Sequence, residues 1–139
     1  MLVQVAMMAA SAVPPPPSPS PPPVYTLMNE ALSWSEANAA CLANSLQLAS
    51  VQSAAENAML VTAAAGNRVW IGGTDAAFEG MWVWSPSGTP LSYTNWALPQ
   101  PDNYGKNEHC LELQQLIRGS TWNDALCTTK LKYVCESRA

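Results

Sequence analysis

Five oxygen-bearing side chains stand in or just beyond one polar stretch: Gln100, Asp102, Glu108, Asn123 and Asp124. Carboxylates mixed with amides, without a thiolate or an imidazole, suit a hard cation, and calcium is the ion such a set fits. Three carboxylates, two amide oxygens and one backbone carbonyl would supply six ligands. Calcium accepts up to about eight, which leaves two positions for oxygens from outside. Two adjacent hydroxyls of a sugar can take them, while the same side chains accept from or donate to those hydroxyls. Each segment alone also has a plainer reading: Gln100-Pro101-Asp102 as an ordinary turn, and Trp122-Asn123-Asp124 as a buried aromatic followed by an Asx-type turn. Catalysis is short of parts. The one histidine, His109, stands beside Cys110, and neither a His-acid pair nor an activated nucleophile can be assembled, so no enzyme is expected.

The elements that must position these residues follow from periodicity. Ser33-Trp34-Ser35-Glu36 fits a capping box, and Trp34, Ala37, Ala40 and Cys41 then recur at helical spacing, which puts Cys41 on a buried face. Ser53-Ala54-Ala55-Glu56 repeats the start signal before Ala58, Met59, Val61 and Ala65, and Gly66-Asn67 ends that second helix. The period then changes. Val69–Gly72, Met81–Trp84, Cys110–Leu113 and Lys130–Cys135 read as short strands between turn residues. Helices followed by strands define an α+β class. Trp70, Trp82, Trp84 and Trp96 read as core. The stretch from Ser85 to Asn107, rich in Gly, Pro and Asn, is long enough to imply a functional loop.

The 139 residues provide for one domain plus appendages. Residues 1–12 are an apolar leader ending in Ala10-Ser11-Ala12, like a secretory cleavage site but without the positive flank of one; a signal remnant and a piece of a longer precursor both fit. Residues 13–23 are a proline-rich stalk. Proline fixes φ and lacks the donor N–H, so a polyproline II rod is expected, at roughly 3.1 Å per residue reaching on the order of 30 Å. Residues 24–139 have the composition of a folded domain. Six basic residues, unclustered, against ten acidic ones make nucleic acid an unlikely partner, and no run is long enough to span a bilayer. Four cysteines allow three pairings that sequence alone does not separate, and no two stand at the close spacing usual for zinc ligands.

Taken in order, Trp34, Ala37, Cys41, Leu48-Ala49-Ser50, Trp70-Ile71-Gly72-Gly73, Trp82, Asn95-Trp96, Gln100-Pro101-Asp102, Glu108-His109-Cys110, Trp122-Asn123-Asp124, Cys127 and Tyr133-Val134-Cys135 resemble a C-type lectin domain from about Tyr25 to Glu136. The resemblance implies two helices packed on short antiparallel strands, a long calcium-binding loop, and the disulfides Cys41–Cys135 and Cys110–Cys127. It implies Gln100, Asp102, Glu108, Asn123 and Asp124 as calcium ligands, with a cis peptide before Pro101 turning Gln100 and Asp102 toward one ion. Within the family, the Gln-Pro-Asp order implies galactose and related sugars, and Tyr104 stands where galactose-binding members carry a ring that stacks on the sugar. Gln100, Asp102, Glu108, Asn123 and Tyr104 are therefore the expected sugar contacts. Asp75, Glu79 and Asn103 fall where some members hold a second calcium, and His109 either leans over the ion site or is a satisfied loop residue. Disulfides need an oxidising compartment, so a secreted, matrix or cell-surface setting is expected. The proline-rich stretch itself resembles the hydroxyproline-rich extensions of plant and algal cell-wall glycoproteins. The competing function is an adhesion module of the same fold that binds a protein or mineral surface, ice included, as in antifreeze proteins that look like this family.

Overall fold

The computed structural model describes residues 13–16, 21–85, 87–97, 101, 107–116 and 119–138. Strands are β1 (Val24–Leu32), β2 (Gln47–Leu48), β3 (Val69–Thr74), β4 (Val83–Trp84), β5 (Thr89–Pro90), β6 (Glu108–Leu116), β7 (Gly119–Leu126) and β8 (Leu131–Ser137). Helices α1 (Trp34–Ala43) and α2 (Ala54–Ala64) lie between β1 and β2 and between β2 and β3. The leader, residues 1–12, and the middle of the stalk lie outside the described residues. Val13–Pro16, Pro21 and Pro22 are exposed and carry no regular hydrogen-bonded structure.

Both helices start as their capping signals dictate. Ser33 Oγ accepts from the Glu36 N–H at 3.3 Å and Glu36 Oε1 accepts from the Ser33 N–H at 3.0 Å, which satisfies two donors at the start of α1. Ala37 and Cys41 form its buried face. Ser53 Oγ caps α2 at 3.2 Å, and Ala65, left-handed at φ 50°, ends it just ahead of Gly66. The inner face of α2 differs from the expected stripe: Leu60 and Ala64 are fully buried, whereas Ala58, Met59 and Ala65 are exposed. Residues 58–65 are apolar on nearly every side, so periodicity does not mark one face and packing against the sheet decides it.

The sheet closes the domain on itself. β1 runs antiparallel to β8, joining Val24 to Ser137 near the two ends of the domain, and β8 also pairs with β2. β3 joins the two halves: it pairs with β8 in parallel, the exception to the antiparallel rule, and with β4 and β6 antiparallel. β6 then pairs with β7 along its whole length. Val69 through Gly73 are buried on both faces, as a central strand requires. A Cβ at Gly73 would sit 2.5 Å from Leu111 Cδ2 and 3.0 Å from its Cβ, so any other residue would have to displace that buried leucine. Trp84 and Trp122 are buried among Leu60, Ile71, Leu111 and Leu113, Trp70 is buried in a second cluster with Cys41, Leu48, Tyr133 and Cys135, and Trp82 meets Trp96 edge-on at 5.0 Å.

Both disulfides form the pairs that the resemblance implied. Cys41–Cys135 ties α1 to β8, and Cys110–Cys127 ties β6 to the end of β7. The structure adds strands that the sequence reading did not mark, β1, β2, β5 and β7, and changes two segments of it. Trp122-Asn123-Asp124 lies inside β7 and not in a turn, and only Val83 and Trp84 of the Met81–Trp84 run join the sheet, leaving Met81 exposed.

Candidate functional site

The β6–β7 ladder places the described oxygen donors. Glu108 opens β6, while Asn123 and Asp124 face Glu112 and Leu111 across the ladder. Asp124 is fully buried, whereas Glu108 and Asn123 are half-buried. Trp122 anchors this part of β7. Its N–H donates to Asn95 O at 2.9 Å, its carbonyl accepts from Ala97 N at 2.9 Å, and its indole Nε1 donates to Asn57 Oδ1 at 2.9 Å. The Asn95–Ala97 segment, which ends three residues before Gln100 in the sequence, is thereby stitched beside the strand that carries Asn123 and Asp124.

Gln100, Asp102, Asn103 and Tyr104 lie outside the described residues, and with them the expected cis peptide. The described part of the expected ligand set consists of two carboxylates and an amide, Glu108, Asp124 and Asn123. This all-oxygen set fits calcium by its chemistry, and the Asp124 carboxylate is shielded from bulk water.

A second cluster forms where β3 ends. Asp75, Glu79 and His109 bring one donor atom each to within 4.8 Å of one another. His109 Nδ1 lies 2.9 Å from Asp75 Oδ1 and 3.7 Å from Glu79 Oε1, so a His-acid pair does form, against the expectation from sequence, because the acid comes from a distant loop. The register explains how His109 gets there. Glu108 pairs with Leu126 and Cys110 with Ala125, so His109 is an extra residue on β6, a bulge of the kind that re-aims a side chain. Its carbonyl is held by the Asp75 N–H at 3.1 Å and the Thr74 hydroxyl at 2.7 Å, and the Gly80 N–H holds Asp75 Oδ2 at 2.8 Å. Partial desolvation, together with a shared hydrogen bond and repulsion from Asp75, pushes the Glu79 carboxyl up from its ordinary value. Of the expected second calcium set, Asp75 and Glu79 are brought together, and their described companion is His109. The sequence reading left that role open. Its signal was the histidine next to Glu108, but the bulge that aims the ring is set by strand register. Gly80 also borders an apolar cleft of about 340 Å³ walled by Met81, Trp82, Pro90, Leu91 and Trp96.

The profile of the Lectin C-type domain family matches residues 30–137. The chain belongs to this family. It is 33% identical over 132 residues to the galactose-specific lectin nattectin of Thalassophryne nattereri, covering 91% of this chain and 81% of that protein. Among solved structures, the C-type carbohydrate-recognition domain of cow CD23, crystallised in the presence of a GlcNAc2Man3 oligosaccharide, superposes with a TM-score of 0.78 at 31% identity, covering 86% of this chain and 90% of that one. The herring type II antifreeze protein superposes with a TM-score of 0.77 at 26% identity, covering 86% of this chain and 93% of that one.

Proposed function

We propose that this domain binds galactose-type glycans through one calcium ion held by Gln100, Asp102, Glu108, Asn123 and Asp124. The observation that supports the proposal is the stitching of Asn95–Ala97 to Trp122, which holds a segment ending three residues before Gln100 in the sequence beside the strand that bears Asn123 and Asp124. The calcium, when bound, supplies two open coordination positions for vicinal sugar hydroxyls. The residues around it bind and orient those hydroxyls: carboxylates accept, and the amides of Gln100 and Asn123 donate. Tyr104 supplies the apolar face for the ring. The galactose-specific relative supports the sugar class, and the Gln-Pro-Asp order agrees with it. The same residues hold and orient a ligand without carrying out a reaction on it, so the domain acts as a binding module and not as an enzyme.

Two closed disulfides belong to an oxidising compartment, and among the described residues no helix is long and apolar enough to cross a membrane. We assign the domain to the secreted or matrix space, carried on its proline-rich stalk, with residues 24–139 as the binding unit. The deciding experiment is glycan-array binding of the full chain with calcium and with a chelator, followed by competition with free galactose. Calcium-dependent binding that galactose displaces is the expected result. Surface or ice adsorption that galactose leaves untouched would put the antifreeze-like adhesion reading in its place, as the herring neighbour suggests.

A further inference from the structure

The geometry points to a separate site for a zinc-class divalent transition metal, made by Asp75, Glu79 and His109. The donors come from three places in the chain, the end of β3, the β3–β4 loop and the β6 bulge, and each is positioned by main chain. Asp75 is fully buried, with Oδ2 on the Gly80 N–H; the His109 backbone is fastened to β3 through Asp75 N and Thr74 Oγ1. The Nδ1–Oδ1 and Nδ1–Oε1 separations of 2.9 and 3.7 Å straddle the ligand–ligand edge of a zinc tetrahedron, about 3.3 Å for metal–ligand bonds near 2.0–2.1 Å. Small side-chain movements would equalise them.

The imidazole decides the class of ion. Calcium is bound by oxygen, whereas an imidazole with two carboxylates is a set that zinc and its neighbours in the first transition row accept. On binding, the ring would keep one proton on Nε2, an imidazolium releasing its Nδ1 proton to solvent and a neutral ring moving it from Nδ1 to Nε2; the freed Nδ1 lone pair would go to the metal, and Asp75 Oδ1 would turn from hydrogen-bond partner to ligand. Oδ2 stays on Gly80 N–H and fixes the orientation of the carboxylate. Glu79, half-exposed, closes the third position from the solvent side. The fourth faces outward and takes water. A metal there would tie the β3–β4 loop to the start of β6, one residue from Glu108. This site does not depend on the calcium and sugar reading.

The test uses the full chain with calcium present in excess throughout, titrated with zinc chloride. His109 is the chain's one histidine, so its imidazole resonances in a 1H–15N spectrum are unambiguous. Zinc is expected to shift them in slow or intermediate exchange, to displace the Nδ1 proton, and to bind in equimolar amount by calorimetry. His109→Gln should weaken zinc about tenfold or more, and Glu79→Gln should weaken it less, while Glu30→Gln, on β1, should leave it unchanged. His109→Asp should reverse the preference, lowering zinc affinity and raising that for calcium. Imidazole signals that stay in place, or zinc binding equal in the protein and in His109→Gln, would overturn the site and leave the histidine as an internal partner of the two acids. Glycan binding is not among the readouts, so failure here and failure of the sugar reading are distinguishable.

Discussion

The indole Nε1 of Trp122 donates to Oδ1 of Asn57 at 2.9 Å, so α2 holds β7 one residue ahead of Asn123. Trp122 is fully buried, and its N–H has no access to water as a substitute partner. Asn57→Leu is expected to destabilise the domain by about 1–3 kcal/mol, the cost of a buried donor left unsatisfied. It should also weaken calcium binding, because the strand that presents Asn123 and Asp124 loses its anchor. Urea unfolding and a calcium titration check both effects. A variant of unchanged stability would show that the indole is satisfied in some other way.

How much of this was legible beforehand depended on whether the determinant was local. Capping signals are local: Ser33 and Glu36 close a full box and Ser53 caps the second helix through its hydroxyl, each within four residues. The disulfide pairs became readable only through the family resemblance, since pairing is a tertiary fact. β7 was missed because Trp122-Asn123-Asp124 has poor strand propensity, and its place in the sheet is imposed by eight register pairs with β6. β1 was missed because Glu30 and Asn29 interrupt its alternation, although β8 pairs with it up to Leu32. His109 was visible as a residue but not as a member of the Asp75 cluster, because a one-residue bulge decides where it points.

Calcium should stabilise the domain. Glu108 and Asp124 are carried by the paired strands β6 and β7, and an ion held by both would bind the folded state alone. The gain by mass action is about 2.7 kcal/mol when free calcium is about 100 times the dissociation constant. Chelator is expected to lower Tm in differential scanning calorimetry. A Tm that does not move on chelation would exclude this ligand set. Affinity should also fall with pH, since protons compete with the ion for the same carboxylates.

A second acid-sensitive device is independent of metal. Arg138 donates to Glu56 at 3.0 Å and to the fully buried Glu136 at 2.7 Å, clamping the end of β8 onto α2. The Arg138 hydrogen bond holds the Glu56 carboxyl below its ordinary value against the opposing effect of burial. Lys130 does the same for Glu36, which falls to about 2, but that pair is fully exposed and adds little. A carboxyl whose pKa is depressed on folding contributes stability above its unfolded value, about 4.3 for glutamate, and the contribution is lost as pH falls further. In chelator, stability should therefore decline between about pH 5 and pH 3. Glu56→Gln should be less stable at neutral pH and show a shallower decline. An identical pH slope in the two proteins would remove Glu56 from the account.

The last expectation concerns sugar class and rests on Gln100 and Asp102. Exchanging amide and acid, Gln100→Glu with Asp102→Asn, keeps the charge and the number of calcium ligands, so the ion should still bind. The senses of the hydrogen bonds offered to the two hydroxyls are reversed. Preference should then move from galactose toward mannose. Tyr104→Ala should instead weaken galactose by about 1 kcal/mol or less, the scale of an exposed aromatic contact, and leave calcium affinity nearly unchanged. A shallow site with two coordinated hydroxyls binds single sugars near the millimolar level, about 4 kcal/mol, so competition must be measured on a clustered glycan surface where multivalency raises the signal. An exchanged protein that keeps its calcium and still prefers galactose would mean that selectivity resides elsewhere. The apolar cleft beside Gly80, walled by Met81, Trp82 and Trp96, would then be the next place to substitute.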